Sequence, residues 1–273
     1  MSSHQQDIQQ GERFKFGENW SLFLSLVDEE RIQSAEHSLQ QLLGITDLTD
    51  KRFLDIGSGS GLFSLAARRL GAQVVSFDFD PHSVACTTEL RRRYFCDDAH
   101  WQVMEGSVLD PAFMEGLATF DVVYSWGVLH HTGQMWQAID YASQRVAAGG
   151  LLSLAIYNHQ GVRSALWKKI KRFYCRGRLA ALLVKFLCYP YYFTKTLAKG
   201  VLLHGGNPIG AFLDKSNRGM SELRAWDDWL GGYPFEVAKP EEIFHFLKAR
   251  HFSLENLTTL NGHGCNEFLF IKR

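Results

Sequence analysis

The chain contains 273 residues, of which 46% are hydrophobic, and its 29 basic residues balance its 29 acidic ones. This length is sufficient to bury the core of one α/β domain, with room for an inserted subdomain. The five cysteines are scattered without a C-x-x-C pair, which argues against a disulfide framework or a zinc site and for a reducing compartment. The polar start MSSHQQDIQQGER carries no secretory signal, so we expect a cytoplasmic protein. From the scattered cysteines we expect no bound metal.

Buried strands alternate with amphipathic helices along most of the chain. After one or two helices in residues 20–44, the predicted strands cover residues 51–57, 72–80, 101–110, 120–131, 150–158, 252–260 and 266–273. The predicted helices between them cover residues 62–71, 81–95, 135–147 and 240–252. This alternation indicates a doubly wound, mostly parallel α/β sheet covered on both faces. The predicted parts are an N-terminal helical cap (1–49), a core (50–159 and 236–273) and an inserted helical subdomain (160–235).

A glycine-rich turn follows the first predicted strand, in FLDIGSGSGLF at residues 53–63. In open parallel sheets, ligands bind beyond the carboxyl ends of the strands, where such turns lie. The dinucleotide pattern G-x-G-x-x-G does not fit, because Leu62 stands where its third glycine would be. A phosphate loop does not fit either, because no Gly-Lys-Ser/Thr follows. Asp55 would repel a pyrophosphate but suits a ligand that bears an amino group or a sulfonium.

The combination Asp55-x-Gly57-x-Gly59-x-Gly61 resembles the first motif of the class I S-adenosylmethionine-dependent methyltransferases. Asp78 ends the second predicted strand, where that family places an acidic residue on the ribose hydroxyls. The segments GSVLD, FDVVYSWGVLHH and RVAAGGLLSL resemble later motifs of the family in the same order. The resemblance covers about residues 50–157 and 240–273.

The resemblance implies a seven-stranded Rossmann-like sheet and S-adenosyl-L-methionine as the cofactor. The residues that it implies for cofactor binding are Asp55, Gly57, Ser58, Gly59, Gly61, Asp78, Phe79, Gly106, Ser107, Val108, Ser125 and Trp126, with Asn19 and Trp20 from the N-terminal cap. The family often has an aspartate at the position of Ser107, so the adenine amino group would have a weaker acceptor here. The usual L-x-P-G-G turn reads A-A-G-G in this chain, which loses rigidity rather than chemistry.

Methyl transfer to a hydroxyl requires an aligned acceptor and a base for its proton. His130 and His131 follow the fourth predicted strand and are the candidate bases, because histidine titrates near neutrality. Adjacent side chains on a turn point in different directions, so at most one is expected to face the acceptor, and the alternative role is packing. The chain lacks the Asn/Asp-Pro-Pro-Tyr/Phe run and the Pro-Cys pair of base-methylating enzymes. The leading hypothesis is therefore O-methylation of a phenolic, quinol or sugar hydroxyl.

The inserted subdomain is strongly basic, because residues 141–213 contain 11 Lys or Arg residues and no Asp or Glu. Nine aromatic residues lie between positions 157 and 193. This composition fits a lid, a contact with an anionic membrane or lipid-linked substrate, a nucleic-acid grip, or a solvated helical face. We favour a lid, with membrane contact through residues 160–203 as a secondary role. The candidate acceptor-binding residues are Tyr157, Trp167, Trp226, Asp228 and Tyr233.

Several functions are compatible with these patterns. The leading one is a small-molecule methyltransferase similar to those of ubiquinone biosynthesis, located in the cytoplasm with peripheral membrane contact. A second is an RNA-modifying methyltransferase that uses the basic insertion, although the absent motifs disfavour nucleic acid as a partner. A third is a non-catalytic module that binds adenosylmethionine. An NAD-dependent oxidoreductase is disfavoured by Asp55 and Leu62.

Overall fold

The computed structural model describes residues 3–17, 20, 24, 27–203, 207, 222–262 and 264–273. Its central sheet contains the strands β1 (Arg52–Ile56), β2 (Gln73–Asp78), β3 (Trp101–Glu105), β4 (Phe120–Trp126), β5 (Val146–Tyr157), β6 (Phe252–Thr258) and β7 (Cys265–Lys272). The strand order is β3-β2-β1-β4-β5-β7-β6. β7 runs antiparallel to both of its neighbours, and the other pairings are parallel. The predicted seven-stranded, mostly parallel sheet is confirmed.

Helices connect the strands and form the insertion. In the described part of the chain they are α1 (Ser3–Gln9), α2 (Glu29–Leu43), α3 (Leu62–Arg69), α4 (Pro81–Tyr94), α5 (Pro111–Gly116), α6 (Met135–Gln144), α7 (Val162–Tyr174), α8 (Arg178–Leu203), α9 (Glu222–Gly231) and α10 (Pro240–Lys248). A 3₁₀ turn covers Leu129–His131. Asp28 and Asp80 cap the starts of α2 and α4 through their carboxylates, because the first amides of a helix lack partners within it.

The sheet is buried on both faces because its strands are apolar on both sides. One face packs against α5, α6 and α10, with Met135, Ile139 and Ile243 in the core. The opposite face packs against α2, α3 and α4, where Leu39 and Leu65 are fully buried. A parallel sheet that is covered in this way leaves the carboxyl ends of its strands as the edge where a ligand can approach the loops.

The helices α7, α8 and α9 lie between β5 and α10 and pack on one another. Their shared core contains Tyr174 from α7, Val184 from α8 and Leu230 from α9. Phe14, from the segment before α2, packs against the same cluster. Among the described residues, no helix combines the length and hydropathy that a membrane span requires.

Candidate functional site

A mainly apolar cavity of about 360 Å³ lies beyond the carboxyl ends of β1, β2 and β4. The chain order of the strands reverses there, because β1 has β2 on one side and β4 on the other. Open α/β sheets bind ligands at this switch point, and 300–1,000 Å³ is roughly the size of a small-molecule site. The cavity is therefore placed and sized for a nucleoside-like ligand.

The glycine-rich loop after β1 lines the cavity largely with main-chain atoms. Gly57 and Gly59 adopt left-handed backbone conformations, with φ of 77° and 56°. A Cβ atom on Gly57 would lie 2.4 Å from the side chain of Val128, and one on Gly59 would lie 3.0 Å from the indole of Trp20. The amide of Gly57 donates to the carbonyl of Phe77 at 2.8 Å, which ties the loop to β2. A ligand can approach this backbone more closely than any side chain would allow.

Most of the residues implied for cofactor binding line this cavity. Those that do are Asp55, Gly57, Ser58, Gly59, Asp78, Phe79, Gly106, Ser107, Val108, Trp126 and Trp20. Gly61 instead lies behind the loop, where a Cβ atom would meet the Cα of Thr87 at 2.9 Å. Ser125 is buried and joins two strands, because its hydroxyl donates to the carbonyl of Ile56 at 3.1 Å. Asn19 lies outside the described residues.

Asp78 ends β2 and directs a carboxylate to the cavity. Its Oδ2 accepts from the amide of Gly59 and its Oδ1 from the amide of Asp80, both at 2.9 Å. A carboxylate has about four acceptor positions, so two ligand hydroxyls can still bind. Burial raises the pKa of Asp78 to about 6, and the nearby charge of Asp80 acts in the same direction. The backbone hydrogen bonds oppose this shift without cancelling it.

Asp55 lies one strand away from Asp78, at the end of β1. Asp55 is almost fully buried and is one of the residues that line the cavity, and its carboxylate accepts from the hydroxyl of Ser64 at 2.5 Å. Trp126 ends β4 on the other side of β1, and its indole N–H donates to Glu267 at 2.8 Å. The site therefore carries two carboxylates on adjacent parallel strands with an aromatic ring beside them.

The segment before α2 covers part of the cavity. Arg13 donates to the carbonyl of His131 at 3.1 Å, and its guanidinium lies 5.0 Å from the ring centroid of Phe79. The amide of Gly17 donates to Asp80 at 2.8 Å, so the same carboxylate caps α4 and holds this segment. The rings of Phe14 and Phe16 also line the cavity. The sequence analysis implied Asn19 and Trp20 from the N-terminal cap but did not single out Arg13, Phe14 or Phe16.

The two candidate bases occupy different environments. His131 lines the cavity, whereas His130 is fully buried and does not contribute to the lining. The Nδ1 atom of His130 accepts from the amide of Tyr157 at 3.3 Å, and its Nε2 is buried without a partner among the described residues. Burial lowers the pKa of His130 well below its usual value. The structure therefore assigns His130 to packing behind Tyr157, whose ring centroid is 3.9 Å away.

His131 is held in one tautomer. Its Nδ1 lies 2.7 Å from the carbonyl oxygen of Pro234, and a carbonyl can only accept, so Nδ1 carries the hydrogen. The lone pair is then on Nε2, which has no hydrogen-bond partner in the described part of the chain. Burial, with a smaller contribution from Lys171 and Arg13, lowers the pKa of His131 to about 3, although the bond to Pro234 opposes the shift. The imidazole is neutral at physiological pH.

The residues predicted for acceptor binding are only partly brought together. Tyr157 and Asp228 line the cavity. Trp167 packs on Trp229 with ring centroids 5.4 Å apart, and Trp226 packs within the core of the insertion. Tyr233 borders a second, more polar cavity of about 270 Å³ that shares Arg13 and Thr132 with the first.

A buried lysine lies behind Tyr157, which lines the first cavity. Lys171 is fully buried, and its ammonium donates to the carbonyl of Trp229. Its Nζ atom lies 4.2 Å, 4.9 Å and 6.0 Å from the ring centroids of Trp229, Phe235 and Tyr157. Burial lowers the pKa of Lys171 to about 7, although nearby Asp228 opposes the shift. No sequence pattern marked this residue, because a lysine in an amphipathic helix is normally solvated.

These features fit S-adenosylmethionine. Asp55, Asp78, Asp80 and Asp228 face the cavity together with Arg13, so its charge is predominantly negative. That balance suits a ligand with a sulfonium and an ammonium group and disfavours a pyrophosphate. The main-chain atoms of the glycine loop and the carboxylate that ends β2 suit an adenosine. The residues present therefore fit the cofactor that the sequence resemblance implies.

Comparisons with known proteins agree with this fit. Residues 54–152 match the family described as "Methyltransferase domain". Ubiquinone biosynthesis O-methyltransferase of Parvibaculum lavamentivorans is 28% identical over 134 residues, which are 47% of this chain and 49% of that protein. Ribosomal protein L11 methyltransferase of Acinetobacter baylyi is 50% identical over 50 residues, which are 18% of this chain and 16% of that protein. The chain thus spans about half the length of the first of these relatives and less of the second.

Solved structures share the fold. Magnesium protoporphyrin IX methyltransferase of Synechocystis PCC 6803, with bound SAH, has a TM-score of 0.53 at 13% identity and is matched over 100% of this chain and 89% of that chain. A putative S-adenosyl-L-methionine-dependent methyltransferase of Methanococcus maripaludis has a TM-score of 0.52 at 14% identity, over 96% and 95% of the two chains. The matched domain, the strand order and the geometry of the glycine loop lead to one assignment. Residues 54–152 form a methyltransferase domain, and the chain has the fold of the class I S-adenosylmethionine-dependent methyltransferases.

Proposed function

We propose that the protein methylates a small, largely apolar molecule at a hydroxyl oxygen. The lining at the end of the cavity near β4 and the N-terminal segment supports this: Phe14, Phe16 and Tyr157 supply aromatic walls, with His131 and Asp228 as polar groups. Apolar walls with a few placed polar groups are typical of small-molecule sites. The curated relative from Parvibaculum lavamentivorans is an O-methyltransferase, which is consistent with an oxygen acceptor.

The tautomer of His131 is the observation that carries the proposal. A hydroxyl acceptor must lose a proton as the methyl group arrives, and Nε2 of His131 is a lone-pair nitrogen in a residue that lines the cavity. The bond to Pro234 fixes this tautomer, and because burial makes the imidazole a weak base, it accepts the proton only as the methyl group arrives. When bound, the cofactor supplies an electrophilic methyl group on a good leaving group. Asp55 would hold its amino group, and Asp78 its ribose hydroxyls.

The contribution of the chain is therefore orientation, exclusion of water and removal of one proton. The Arg13 and Gly17 contacts close the N-terminal segment over the site, which restricts water. His131 accepts the acceptor proton on Nε2 while Nδ1 keeps its hydrogen bond to Pro234. Removal of a positioned general base usually costs about 10²–10⁴ in rate.

The test compares His131→Asn with His159→Asn, which changes an exposed histidine after β5. Purified protein is titrated calorimetrically with S-adenosylmethionine and S-adenosylhomocysteine, and turnover is then followed on phenols, quinols and sugar alcohols. We expect His131→Asn to lose about 10²–10⁴ in kcat on the hydroxyl acceptor with unchanged cofactor affinity. His159→Asn should behave as the wild type. Unchanged kcat in His131→Asn, or turnover on amines alone, would contradict the proposal.

We also propose that the insertion docks on an anionic membrane surface. The outer face of α8 exposes an apolar stripe with helical spacing, whereas Val184 and Tyr189 on the inner face pack against α7 and α9. The exposed members of the stripe are Leu179, Leu182, Leu183, Phe186, Leu187 and Tyr191. Single exposed apolar residues are common on soluble proteins, but a continuous exposed stripe such as this one marks an interaction surface.

Charge favours a lipid surface over a second copy of the chain as the partner. Arg178 and Lys195 are exposed on α8 itself, α7 adds further exposed Lys and Arg residues, and residues 141–213 contain no Asp or Glu. An interfacial helix combines an apolar face with flanking Lys and Arg, each of which contributes about 1 kcal/mol at an anionic surface. Two copies paired through this face would bring like charges together.

Sedimentation with lipid vesicles tests the docking proposal without any turnover. We expect binding to phosphatidylcholine vesicles that contain phosphatidylglycerol, weakened by salt, and little binding to phosphatidylcholine alone. Leu182→Glu with Phe186→Glu should abolish binding, whereas Leu257→Glu, on an exposed leucine of β6, should not. Equal binding by the double variant would overturn the proposal. So would a wild-type dimer in light scattering that the double variant dissociates.

A further inference from the structure

Four buried side chains form a hydrogen-bonded row that ends at the cavity. The indole nitrogen of Trp101 in β3 lies 2.9 Å from the hydroxyl oxygen of Ser76 in β2. That oxygen lies 2.7 Å from the hydroxyl of Ser64 in α3, which lies 2.5 Å from Oδ2 of Asp55 in β1. Trp101, Ser76 and Ser64 are fully buried, and Asp55 is 2% exposed. The row runs through the interior from an edge strand of the sheet to the glycine loop.

With Asp55 ionised, and therefore able only to accept, every bond in this row runs in one direction. An indole N–H can only donate, so the oxygen of Ser76 accepts from Trp101. Each serine hydroxyl has one hydrogen, and that of Ser76 is directed to Ser64. The hydrogen of Ser64 is then directed to the carboxylate of Asp55. Each hydroxyl that donates while it accepts is polarised by the preceding bond, so the row strengthens the final bond to the carboxylate.

Asp55 needs such support because it is almost fully removed from solvent. A buried carboxylate is costly unless hydrogen bonds stabilise its charge. A row that ends in a donor favours the ionised form, because a charged acceptor makes the stronger hydrogen bond. The same bond fixes the rotation of the carboxylate, because Ser64 is anchored on α3 directly behind the loop. A mobile or protonated Asp55 would lose its attraction for a cationic ligand group.

We infer that Ser64, Ser76 and Trp101 are positioning residues that hold Asp55 ionised and oriented for the amino group of the cofactor. This inference rests on the proposed function, because it requires adenosylmethionine in the cavity. Its distinctive consequence is selectivity among parts of the ligand. Loss of the row should weaken binding of the amino-acid tail and leave binding of the adenosine unchanged.

Two ligands separate these parts in a binding experiment. S-adenosylhomocysteine carries the amino-acid tail, and 5′-methylthioadenosine has the same adenosine without it. We expect Asp55→Asn and Ser64→Ala each to raise the Kd for S-adenosylhomocysteine by about tenfold or more, because a hydrogen bond to a charged group is lost or weakened. Trp101→Phe should give a smaller rise. The Kd for 5′-methylthioadenosine should remain that of the wild type in all three variants.

Ser143→Ala is the matched control, because Ser143 is also a buried helical serine but lies on α6 away from the cavity. It should leave both Kd values unchanged. The ratio of the two Kd values should also depend more steeply on pH in Ser64→Ala than in the wild type, an effect that a general loss of stability would not produce. Thermal unfolding of each variant checks that it is folded. If Ser64→Ala does not fold, the selective loss of S-adenosylhomocysteine binding is tested with Trp101→Phe instead.

The outcomes distinguish this inference from the proposed function. If Asp55→Asn selectively weakens the binding of S-adenosylhomocysteine while Ser64→Ala and Trp101→Phe do not, the positioning role of Ser64, Ser76 and Trp101 is contradicted. The cofactor assignment then stands. If Ser64→Ala weakens the binding of both ligands equally, the hydrogen-bonded row stabilises the glycine loop as a whole and the inference is wrong. If the wild type binds neither ligand, the proposed function fails and this inference fails with it.

Discussion

The protonation of Asp78 should set a pH limit on cofactor binding. Burial raises the pKa of this carboxyl to about 6, so in the free protein it is ionised at pH 8 and mostly protonated at pH 5. Only the ionised form accepts two hydroxyl hydrogen bonds in addition to those from Gly59 and Asp80. The apparent Kd equals the intrinsic Kd divided by the ionised fraction, which is about one tenth at pH 5. Affinity should therefore fall about tenfold between pH 8 and pH 5, which corresponds to about 1.4 kcal/mol.

Calorimetric titration with S-adenosylhomocysteine and with 5′-methylthioadenosine should show this fall for both ligands, because both contain the ribose. Asp78→Asn should bind about 10–100-fold more weakly than the wild type at pH 8, with a Kd that no longer changes toward pH 5. Asp97→Asn changes an exposed aspartate in a turn beyond α4 and should keep the wild-type profile. A wild-type Kd that is constant from pH 8 to pH 5 would refute the role of Asp78 as a ribose acceptor.

Three further predictions follow from the packing of the site. Lys171 binds fewer protons when folded than when unfolded above pH 7, so the free energy of unfolding should rise from pH 7 toward pH 9 by up to about 1.4 kcal/mol per unit. Denaturant unfolding should show a smaller slope in Lys171→Met, and the exposed Lys169→Met should keep the wild-type slope. Gly61→Ala should lose cofactor affinity and thermal stability, because its φ of 81° and the backbone of Thr87 exclude a Cβ atom; an unchanged Tm would contradict this. Asp80→Ala should lower the free energy of unfolding by about 1 kcal/mol, because α4 loses its cap, and should speed proteolysis of the segment that contains Gly17. Equal resistance of the variant and the wild type to protease would refute the role of Asp80 in holding that segment.

The sheet and the cofactor end of the cavity could be predicted because their signals are local. Strands that are apolar throughout indicate a covered parallel sheet, and Asp55 and Asp78 stand at fixed distances from the ends of two such strands. The parallel pairing of β1 with β2 then places both carboxylates at one edge without further information. Gly61 was implied as a cofactor ligand from the same motif, yet its requirement for glycine comes from contact with Thr87. Motif spacing alone does not distinguish these two reasons for a glycine.

The acceptor end depends on contacts between distant parts of the chain, which local patterns do not report. The distinction between His130 and His131 arises because Pro234, about a hundred residues later, accepts from one ring and not from the other. Arg13 contributes to the site through the backbone of His131, which no periodicity indicates. The burial of Lys171 likewise requires the rings of α9 and β5 to meet around it. The sequence could therefore offer candidates for this end of the cavity but could not choose among them.

The distribution of aromatic residues in the insertion bears on what the insertion does. A lid that closes directly over the acceptor would direct Trp167 and Trp226 into the cavity, but both pack on other rings of α8 and α9. Among the described residues of the insertion, Asp228 lines the cavity, while Trp229 packs against Tyr157. The inner aromatic residues are thus used to hold three helices together, and they do not account for the apolar outer face of α8. A continuous exposed apolar face of this kind marks an interaction surface, and this is the feature that the proposed docking of α8 explains.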